Sequence, residues 1–499
     1  MATTLATPGV YIEEKSSFGS SVVPVQTAIP AFIGYTSKAV RGSKNLTNVP
    51  TRISSMGQFE ELFGGAPTTK FNIESDDSAV GFKLSFVEDS KFLLYSSMRL
   101  FYANGGADCY IVSVGGYDEK IDAAKLNDPK GGGLTALEKF LEPTIVVIPD
   151  AILLDENDCF SLQAAMLQHC GYKLKNRFAI LDVYEGAKER TFDDDDAVDK
   201  FRNGVGSNFL QWGASYYPFL NTTIVSKSEV DFTRIANLDG LSEVLSKEVA
   251  ENLKADNITA ARAEGITAEI DKISDTTEPD AINSLNATLT VISPSLNLIL
   301  SEVSEMLNVL PPSPAMAGAY TMVDNQASVA QSPANISLGS VIAPVVNINN
   351  DNQEELNLPL NGKAVNAIRT FQGKGVLVWG ARTLEGNSKD YRYISVRRTM
   401  TFLEQSIKAA AEAFVFAPNN ATTWSTLRAT VSSFLSNQWQ SGLLAGQSAD
   451  DAFSVDIGLG ATMTPNDILD GILKMTVKVA ITRPAEFIVI TFEQQQQKS

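Results

Sequence analysis

Residues 144–148 read Thr-Ile-Val-Val-Ile, an apolar, β-branched run that indicates a strand buried on both of its faces. Helical patterns occupy residues 134–141 before this strand and residues 159–169 after it. Residues 178–183, Phe-Ala-Ile-Leu-Asp-Val, predict another strand of the same kind. Continuously apolar strands that alternate with helices are typical of parallel sheets. The sequence therefore predicts an α/β fold with mixed α+β content.

A long helical segment interrupts this alternation at about residues 239–310. Apolar residues recur there at helical spacing, while Glu, Lys and Ala fill many of the other positions. The two apolar stripes are Leu241, Leu245, Val249 and Leu253, and then Ile266, Ile270 and Ile273. Because consecutive prolines follow at residues 311–312 and end the pattern, we expect a helical insertion within an α/β domain.

The last third of the chain returns to mixed structure. A strand is predicted at residues 375–379, and helices are predicted at residues 399–416 and 423–442. A further helix with an N-cap begins at Thr464. Residues 474–482 alternate between apolar and polar side chains, which predicts a strand with one apolar face.

Both ends of the chain also read as strands. Residues 7–14 are Thr-Pro-Gly-Val-Tyr-Ile-Glu-Glu, and residues 486–493 are Glu-Phe-Ile-Val-Ile-Thr-Phe-Glu. A terminal strand persists where other strands satisfy its backbone groups. Either both ends join the chain's own sheet, or each copy lends its ends to neighbouring copies. The residues that would exchange between subunits are Val10, Tyr11, Ile12, Glu13, Phe487, Ile488, Val489, Ile490 and Phe492.

The composition limits the classes of partner. The 499 residues carry a formal net charge of -18, which argues against a nucleic-acid groove because such a groove needs clustered cations. No apolar run approaches the ~20 residues that span a bilayer, so we expect no direct membrane insertion. Three cysteines and the lack of a basic, apolar leader indicate synthesis in a reducing cytoplasm.

Few residues could support catalysis. His169 is the single histidine and lies at a predicted helix end, where a role as cap or cation is favoured. The acidic run at residues 193–196 is interpreted as a solvated helix N-terminus. Asp150 and Asp182 end predicted strands, where α/β enzymes place catalytic groups, but no nucleophile or cofactor motif accompanies them. We therefore predict no catalytic, cofactor-binding or metal-ligating residues.

Several segments, taken in order along the chain, carry a resemblance to one family. Among the most specific are residues 375–384, Gly-Val-Leu-Val-Trp-Gly-Ala-Arg-Thr-Leu, and residues 483–490, Arg-Pro-Ala-Glu-Phe-Ile-Val-Ile. The others are residues 8–14, 177–183, 311–318, 358–369, 391–398 and 414–420. As an ensemble they resemble the sheath proteins of contractile tails, which occur in myophages and in phage-tail-like injection particles.

The resemblance implies a structural protein with neither enzymatic activity nor a cofactor. Sheath subunits form a helical homopolymer around an inner tube protein, meet baseplate and cap proteins at its ends, and contract to drive the tube through a target envelope. The particle would be a phage tail or a phage-tail-like injection device, either released from the cell or membrane-anchored. The resemblance also favours exchange of the terminal strands between neighbouring subunits.

A multi-domain sheath fold is implied as well. It comprises an inner α/β domain built from both chain ends, an outer α/β domain with the helical insertion, and extended terminal strand arms. The expected bounds are an N-terminal β arm and linker at 1–25, the outer domain at 26–344, the inner tube-facing domain at 345–475, and a C-terminal β arm and polar tail at 476–499.

Basic residues concentrate in one stretch of this acidic chain. Residues 363–398 contain eight Lys or Arg side chains against only Glu385 and Asp390. We expect this stretch to face an acidic inner tube, although ion pairs within the domain would give the same pattern. The candidate tube contacts are Lys363, Arg369, Lys389, Arg392, Arg397 and Arg398.

Two other classes of protein fit parts of the sequence. An α/β enzyme would use Asp150 or Asp182 at its strand ends. A non-contractile structural protein, capsid-like or of a surface layer, would share the assembling ends. We prefer the contractile sheath because the resembling segments span the chain in order.

Overall fold

The structure, a computed structural model, describes residues 22–76 and 81–489. The strands are β1 (Pro30–Gly34), β2 (Val40–Arg41), β3 (Lys44–Asn45), β4 (Thr51–Ile53), β5 (Phe71–Ser75), β6 (Phe82–Phe86), β7 (Cys109–Ser113), β8 (Ile145–Val147), β9 (Phe178–Asp182), β10 (Gly213–Tyr217), β11 (Leu220–Thr222), β12 (Val309–Leu310), β13 (Ile336–Ser337), β14 (Val341–Pro344), β15 (Asn366–Phe371), β16 (Gly375–Val378), β17 (Phe453–Ile457) and β18 (Met475–Val479). The α-helices are α1 (Met56–Phe63), α2 (Leu94–Ala103), α3 (Ala123–Leu126), α4 (Glu156–Gln168), α5 (Ala197–Gly204), α6 (Leu238–Lys254), α7 (Ala260–Ile270), α8 (Pro279–Ile292), α9 (Pro294–Leu307), α10 (Ser313–Gln326), α11 (Asn350–Asn357), α12 (Ile394–Glu412), α13 (Ala421–Gln440), α14 (Ala449–Ala452) and α15 (Pro465–Leu469).

The described chain divides into two compact units. One, called the body, contains Gln26–Arg398 and residues 484–489. The other, called the C-terminal unit, contains residues 22–25 and Thr399–Arg483. The body includes residues 345–398 because β15 and β16 pair into its main sheet. The domain bounds expected from the sequence, at 344/345 and 475/476, stay a prediction.

A nine-stranded sheet forms the centre of the body. Its strand order is β13-β16-β15-β10-β9-β8-β1-β7-β4, and the six strands from β15 to β7 run parallel. Only the outer strands β4, β13 and β16 pair antiparallel. The predicted α/β fold is confirmed.

Helices cover both faces of this sheet. Alternate residues of β1 show the two sides, since Ala31 and Ile33 join one buried cluster while Phe32 joins the other. The first cluster includes Phe160 and other side chains of α4 and α5. The second includes Tyr320 and other side chains of α2 and α10. Burial on both faces explains the continuously apolar strands.

The segment at residues 239–310, where a helical insertion is predicted, is largely helical in the structure. Helices α6, α7, α8 and α9 occupy it and pack with the β5–β6 hairpin around a separate core. Leu241, Leu245 and Ile266 of the predicted stripes are buried in that core. Leu253, in contrast, is 40% exposed.

Two predicted helices differ from the structure. Residues 133–139 form a 3-10 helix, in which Leu134 and Leu137 lie on one side and are buried together. Helix α12 begins at Ile394, five residues before the predicted start, and ends at Glu412. Phe416, with φ of 68°, and Pro418 oppose continuation of the helix to residue 416.

Candidate assembly site

A buried arginine holds the start of the C-terminal arm. The Arg382 guanidinium donates to both carboxylate oxygens of Glu486, with Nε–Oε1 at 2.9 Å and Nη2–Oε2 at 2.6 Å. Tyr393 donates its hydroxyl to Glu486 Oε2 at 3.0 Å, and the Asn357 amide donates to Oε1 at 2.9 Å. These four residues are called the arm anchor.

The anchor keeps Glu486 ionised. Burial alone would raise the pKa of its carboxyl, but the hydrogen bonds from Arg382 and Asn357 outweigh burial and lower the pKa. The Arg382 side chain is 1% exposed and the Glu486 side chain 20%. A paired, bidentate charge of this kind is costly to break, because removing one partner leaves the other buried and unpaired.

Neighbouring elements fix Arg382. Asn366, at the start of β15, accepts from the Arg382 backbone nitrogen and donates to its carbonyl, both at 2.8 Å. Arg382 also forms an isolated antiparallel bridge with Tyr393, just before α12. Two of the resembling segments, residues 375–384 and 483–490, thus meet at one ion pair. A single sequence gives no signal for this contact, because its partners lie 104 residues apart.

The arm that leaves this anchor is apolar and exposed. Phe487, Ile488 and Val489 are 68%, 79% and 89% exposed, and they belong to no strand of the described chain. These three residues are called the exposed arm segment. The other predicted exchange residues, Val10, Tyr11, Ile12, Glu13, Ile490 and Phe492, lie outside the described residues.

The C-terminal unit offers an open strand edge. β18 pairs antiparallel with β17 along one side, and these two strands form their own sheet within the described chain. β17 was not predicted from the sequence, although Phe453-Ser454-Val455-Asp456-Ile457 alternates between apolar and polar residues. A strand with one unpaired edge is a template for another chain.

A groove of about 660 Å³ runs between β18 and α12. Residues of α12 at helical spacing form one wall, and alternate residues of β18 form much of the other. The apolar lining residues are Met400, Leu403, Ile407, Ala411, Met475, Val477 and Val479. The three β18 side chains among them are only partly buried in a single chain.

Arg398 lies inside the body. Its guanidinium donates to both carboxylate oxygens of Asp324 at 2.9 and 2.6 Å and to the Thr27 carbonyl at 3.0 Å. It also lies over the Tyr320 ring, 4.8 Å from the centroid. The side chains of Arg398 and Asp324 are 4% and 2% exposed. The alternative of an ion pair within the domain therefore describes Arg398, which the sequence analysis expected to contact the tube.

Arg397 is buried as well. Its guanidinium lies between two aromatic rings, 4.2 Å from the Trp212 ring centroid and 4.8 Å from that of Tyr391. The residue is 4% exposed, so it offers almost no surface to a partner. Its expected place in an exposed basic strip is corrected by this burial.

The other basic candidates differ in accessibility. Lys389 is exposed. Arg392 is partly buried, and its Nε donates to the Ser388 carbonyl. Arg369 donates to Asn350 and Gln353. Lys363 is partly buried and donates to the carbonyl of Arg202.

The strand-end aspartates serve the fold. Asp150 accepts hydrogen bonds from the backbone nitrogens of Tyr35 and Leu93 at 3.1 and 2.7 Å. Asp182 accepts from the backbone nitrogen of Ser313 at 2.8 Å and from its hydroxyl, at the start of α10. Burial raises the pKa of Asp150 to about 6 and of Asp182 to about 7. Both carboxyls are fully enclosed and oriented by backbone donors, as structural groups are.

His169 is buried, and of its two expected roles, cap or cation, its surroundings oppose the cation. Burial, together with the nearby charges of Arg177 and Lys173, lowers its pKa to about 3. Its Nε2 lies 3.0 Å from Arg177 Nη1. Because the guanidinium can only donate, Nε2 acts as the acceptor.

The raised pKa of Asp182 predicts a pH dependence of stability. A folded-state pKa above the unfolded value of ~3.9 gives stability that is present at low pH and is lost as pH rises through about 7. In Asp182→Asn, the amide can accept from the Ser313 nitrogen and donate to its hydroxyl. We expect this variant to gain about 1–2 kcal/mol over the wild type between pH 5.5 and 8.5. Urea unfolding measures the difference, and Asp194→Asn, at an exposed site, is the control. Parallel curves for wild type and Asp182→Asn would contradict the prediction.

Residues 22–76 and 81–489 contain neither a metal-binding cluster nor a membrane-spanning helix. No group of three or more His, Cys, Asp or Glu side chains there could hold a metal ion. No helix within the same ranges is long and apolar enough to cross a membrane.

Comparison with known proteins points to one family. Residues 387–495 match the model of the phage tail sheath C-terminal domain. No match was found among curated protein sequences. Solved structures match over nearly the whole chain, and two of them are sheath assemblies.

One is the PVC sheath complex of an extracellular contractile injection system in the contracted state. It is 27% identical with a TM-score of 0.59, and the match covers 99% of each chain. Another is the anti-feeding prophage helical sheath in the contracted state, 26% identical with a TM-score of 0.61, covering 98% of this chain and 100% of that one. The anti-feeding prophage baseplate, 6-fold symmetrised, matches at 26% identity and a TM-score of 0.59, covering 99% and 100%. These matches show that residues 387–495 form a phage tail sheath C-terminal domain and that nearly the whole chain is similar to the sheaths of contractile injection systems.

Proposed function

We propose that this chain is the sheath subunit of an extracellular, phage-tail-like contractile particle. It polymerises helically around an inner tube, and the polymer shortens to drive the tube through a target envelope. The exposed arm segment carries this proposal. An apolar run that leaves a buried ion pair and then stays uncovered suits a subunit completed by its neighbours.

The edge of β18 is our proposed acceptor for arms of neighbouring copies. A strand added there would gain main-chain hydrogen bonds, while its alternate side chains would enter the groove beside α12. The terminal segments, residues 8–14 and 487–492, supply such alternating apolar side chains. Main-chain pairing of this kind would keep subunits linked while they rotate during contraction.

The remaining partners follow from the family. Baseplate association agrees with the matched baseplate complex, while contacts with the inner tube and cap proteins are proposed from the family alone. Among the basic candidates, Lys389 is the best placed for an acidic tube because it is exposed. The other three candidates are partly buried and so expose less surface to a tube: Arg392, Arg369 and Lys363. We also propose cytoplasmic synthesis of the subunit before assembly.

The observations support an enzymatic function less well than a structural one. The matched proteins are structural sheath and baseplate components, and both strand-end aspartates bind backbone donors within the body. Fold alone does not assign function, so this argument depends on the enclosure of Asp150 and Asp182.

Electron microscopy of the purified full-length chain tests the proposal. We expect hollow, striated tubes, and discrete particles with no polymer would contradict a sheath. A variant lacking the first 20 residues of the sequence should form no tubes. Its circular dichroism and thermal midpoint should equal those of the wild type, because a Ser/Gly-rich stretch at residues 16–21 separates the strand-like residues 7–14 from the rest of the chain. Normal tubes from this variant would exclude a role for the N-terminal arm.

A further inference from the structure

A small cavity in the body is lined by three cations. It measures about 40 Å³ and lies beside the first turn of α2. This volume exceeds the ~10–15 Å³ that one water molecule needs. The charged residues that line it are Lys91, Arg99, Arg234 and Glu229.

Lys91 has no anionic partner among the described residues. Its ammonium lies 4.2 Å from the centroid of the Phe86 ring, and no described carboxylate forms an ion pair with it. Burial lowers the pKa of Lys91 to about 8. The protonated ammonium is therefore poorly solvated, and a nearby anion would stabilise it.

The two arginines of the cavity differ in their partners. Arg99 binds the only carboxylate of the lining, Glu229, at 2.8 and 3.2 Å. Arg234 donates instead to the neutral carbonyl of Pro67 at 3.0 Å, and burial lowers its pKa. The single carboxylate of the lining, Glu229, is thus already bound by Arg99. Lys91 and Arg234 still have N–H groups that could donate hydrogen bonds to an anion.

Residues just outside the lining leave the charge positive. The ammonium of Lys70 donates to the Thr233 carbonyl. Asp231 attracts Arg234, but its Oδ1 accepts from the backbone nitrogen and hydroxyl of Thr233. Glu60 also lies just outside the lining, where its Oε1 accepts from the hydroxyl of the lining residue Tyr95. Four cations, Lys70, Lys91, Arg99 and Arg234, therefore face three carboxylates. This local excess of one positive charge occurs in a chain whose net charge is -18.

We propose that this cavity binds one small oxyanion, a phosphate or a carboxylate, between Lys91 and Arg234. Such an anion would accept charge-assisted hydrogen bonds from both side chains and supply the missing negative charge. Arginine suits this role because its planar fork matches the geometry of an oxyanion, and lysine adds a point charge. The site is independent of the proposed strand exchange, because every residue that forms it belongs to the body.

Chemical labelling of the full-length chain tests the site. Lysines are acetylated with acetic anhydride in phosphate, acetate or chloride at equal ionic strength, and peptide mass spectrometry gives the rate at Lys91 relative to exposed Lys83. At phosphate ten times its Kd, we expect Lys91 to react roughly tenfold more slowly than in chloride, since about one site in eleven is then empty. The reactivity of Lys91 should also titrate at higher pH in phosphate, because a bound anion favours the ammonium.

The result with each anion identifies a different class of ligand for the cavity. Protection by phosphate alone identifies a phosphate site, and protection by acetate as well identifies a site that also takes carboxylates. As a second measurement, phosphate should raise the thermal midpoint of the wild type and of the control Lys83→Met but not of Lys91→Met. Equal Lys91 rates in phosphate, acetate and chloride would overturn the proposal.

Discussion

Replacing Asp324 with asparagine should destabilise the subunit by about 3–5 kcal/mol. The substitution removes the charge that pairs with Arg398 while the guanidinium stays enclosed at 4% exposure. The Thr27 carbonyl and the Tyr320 ring cannot replace a full negative charge. Chemical unfolding measures the loss, and Asp275→Asn, at an exposed position outside any ion pair of the described chain, should be neutral.

A double variant distinguishes a buried ion pair of Arg398 from a contact of Arg398 with the inner tube. Asp324→Leu combined with Arg398→Met replaces both charges with apolar side chains, and such pairs often recover most of the stability. If Arg398 served the inner tube, Asp324→Asn would leave the subunit stable and the double replacement would lose only the tube. An undiminished free energy of unfolding in Asp324→Asn would thus contradict the buried ion pair.

The fold could be predicted where one local pattern dominates. Strands β8 and β9 are apolar on both faces because helices cover both faces. Helices α6–α9 keep their apolar stripes because all four pack around one core, separate from the clusters beside the main sheet. An α-helix was predicted at residues 134–141, where the structure has a 3-10 helix. The spacing of Leu134 and Leu137 suits either kind of helix, so the pattern alone does not distinguish them. Backbone turns, as at Phe416, decide where helices end.

The site could be predicted only in part. The apolar arm at residues 487–489 was visible because strand-like residues at a chain end need partners. Its anchor was not, because the pairing of Arg382 with Glu486 depends on tertiary contacts. The exposure of the basic residues at 363–398 could not be predicted from the sequence either. Arg397, Arg398 and Lys389 look equivalent in sequence, yet the first two are enclosed by aromatic rings and a carboxylate while the third is exposed.

Truncation after Glu486 should abolish tube formation without unfolding the subunit. The change removes the exposed arm segment and the residues after it but keeps the arm anchor intact. Since Phe487, Ile488 and Val489 bury little surface within one chain, their removal should change the free energy of unfolding by no more than ~0.5 kcal/mol. Chemical unfolding checks the stability, and electron microscopy of the same samples checks the polymer.

Two matched variants complete this experiment. Removing only the last four residues, Gln-Gln-Lys-Ser, should leave tubes normal, because the apolar part of the arm is retained. Glu486→Gln should instead lower stability by a few kcal/mol, because Arg382 then loses its anionic partner in a buried site. Strand exchange requires loss of tubes in the long truncation at unchanged stability. If that variant forms normal tubes, the C-terminal arm does not link subunits, and other surfaces of neighbouring subunits would have to hold the sheath together.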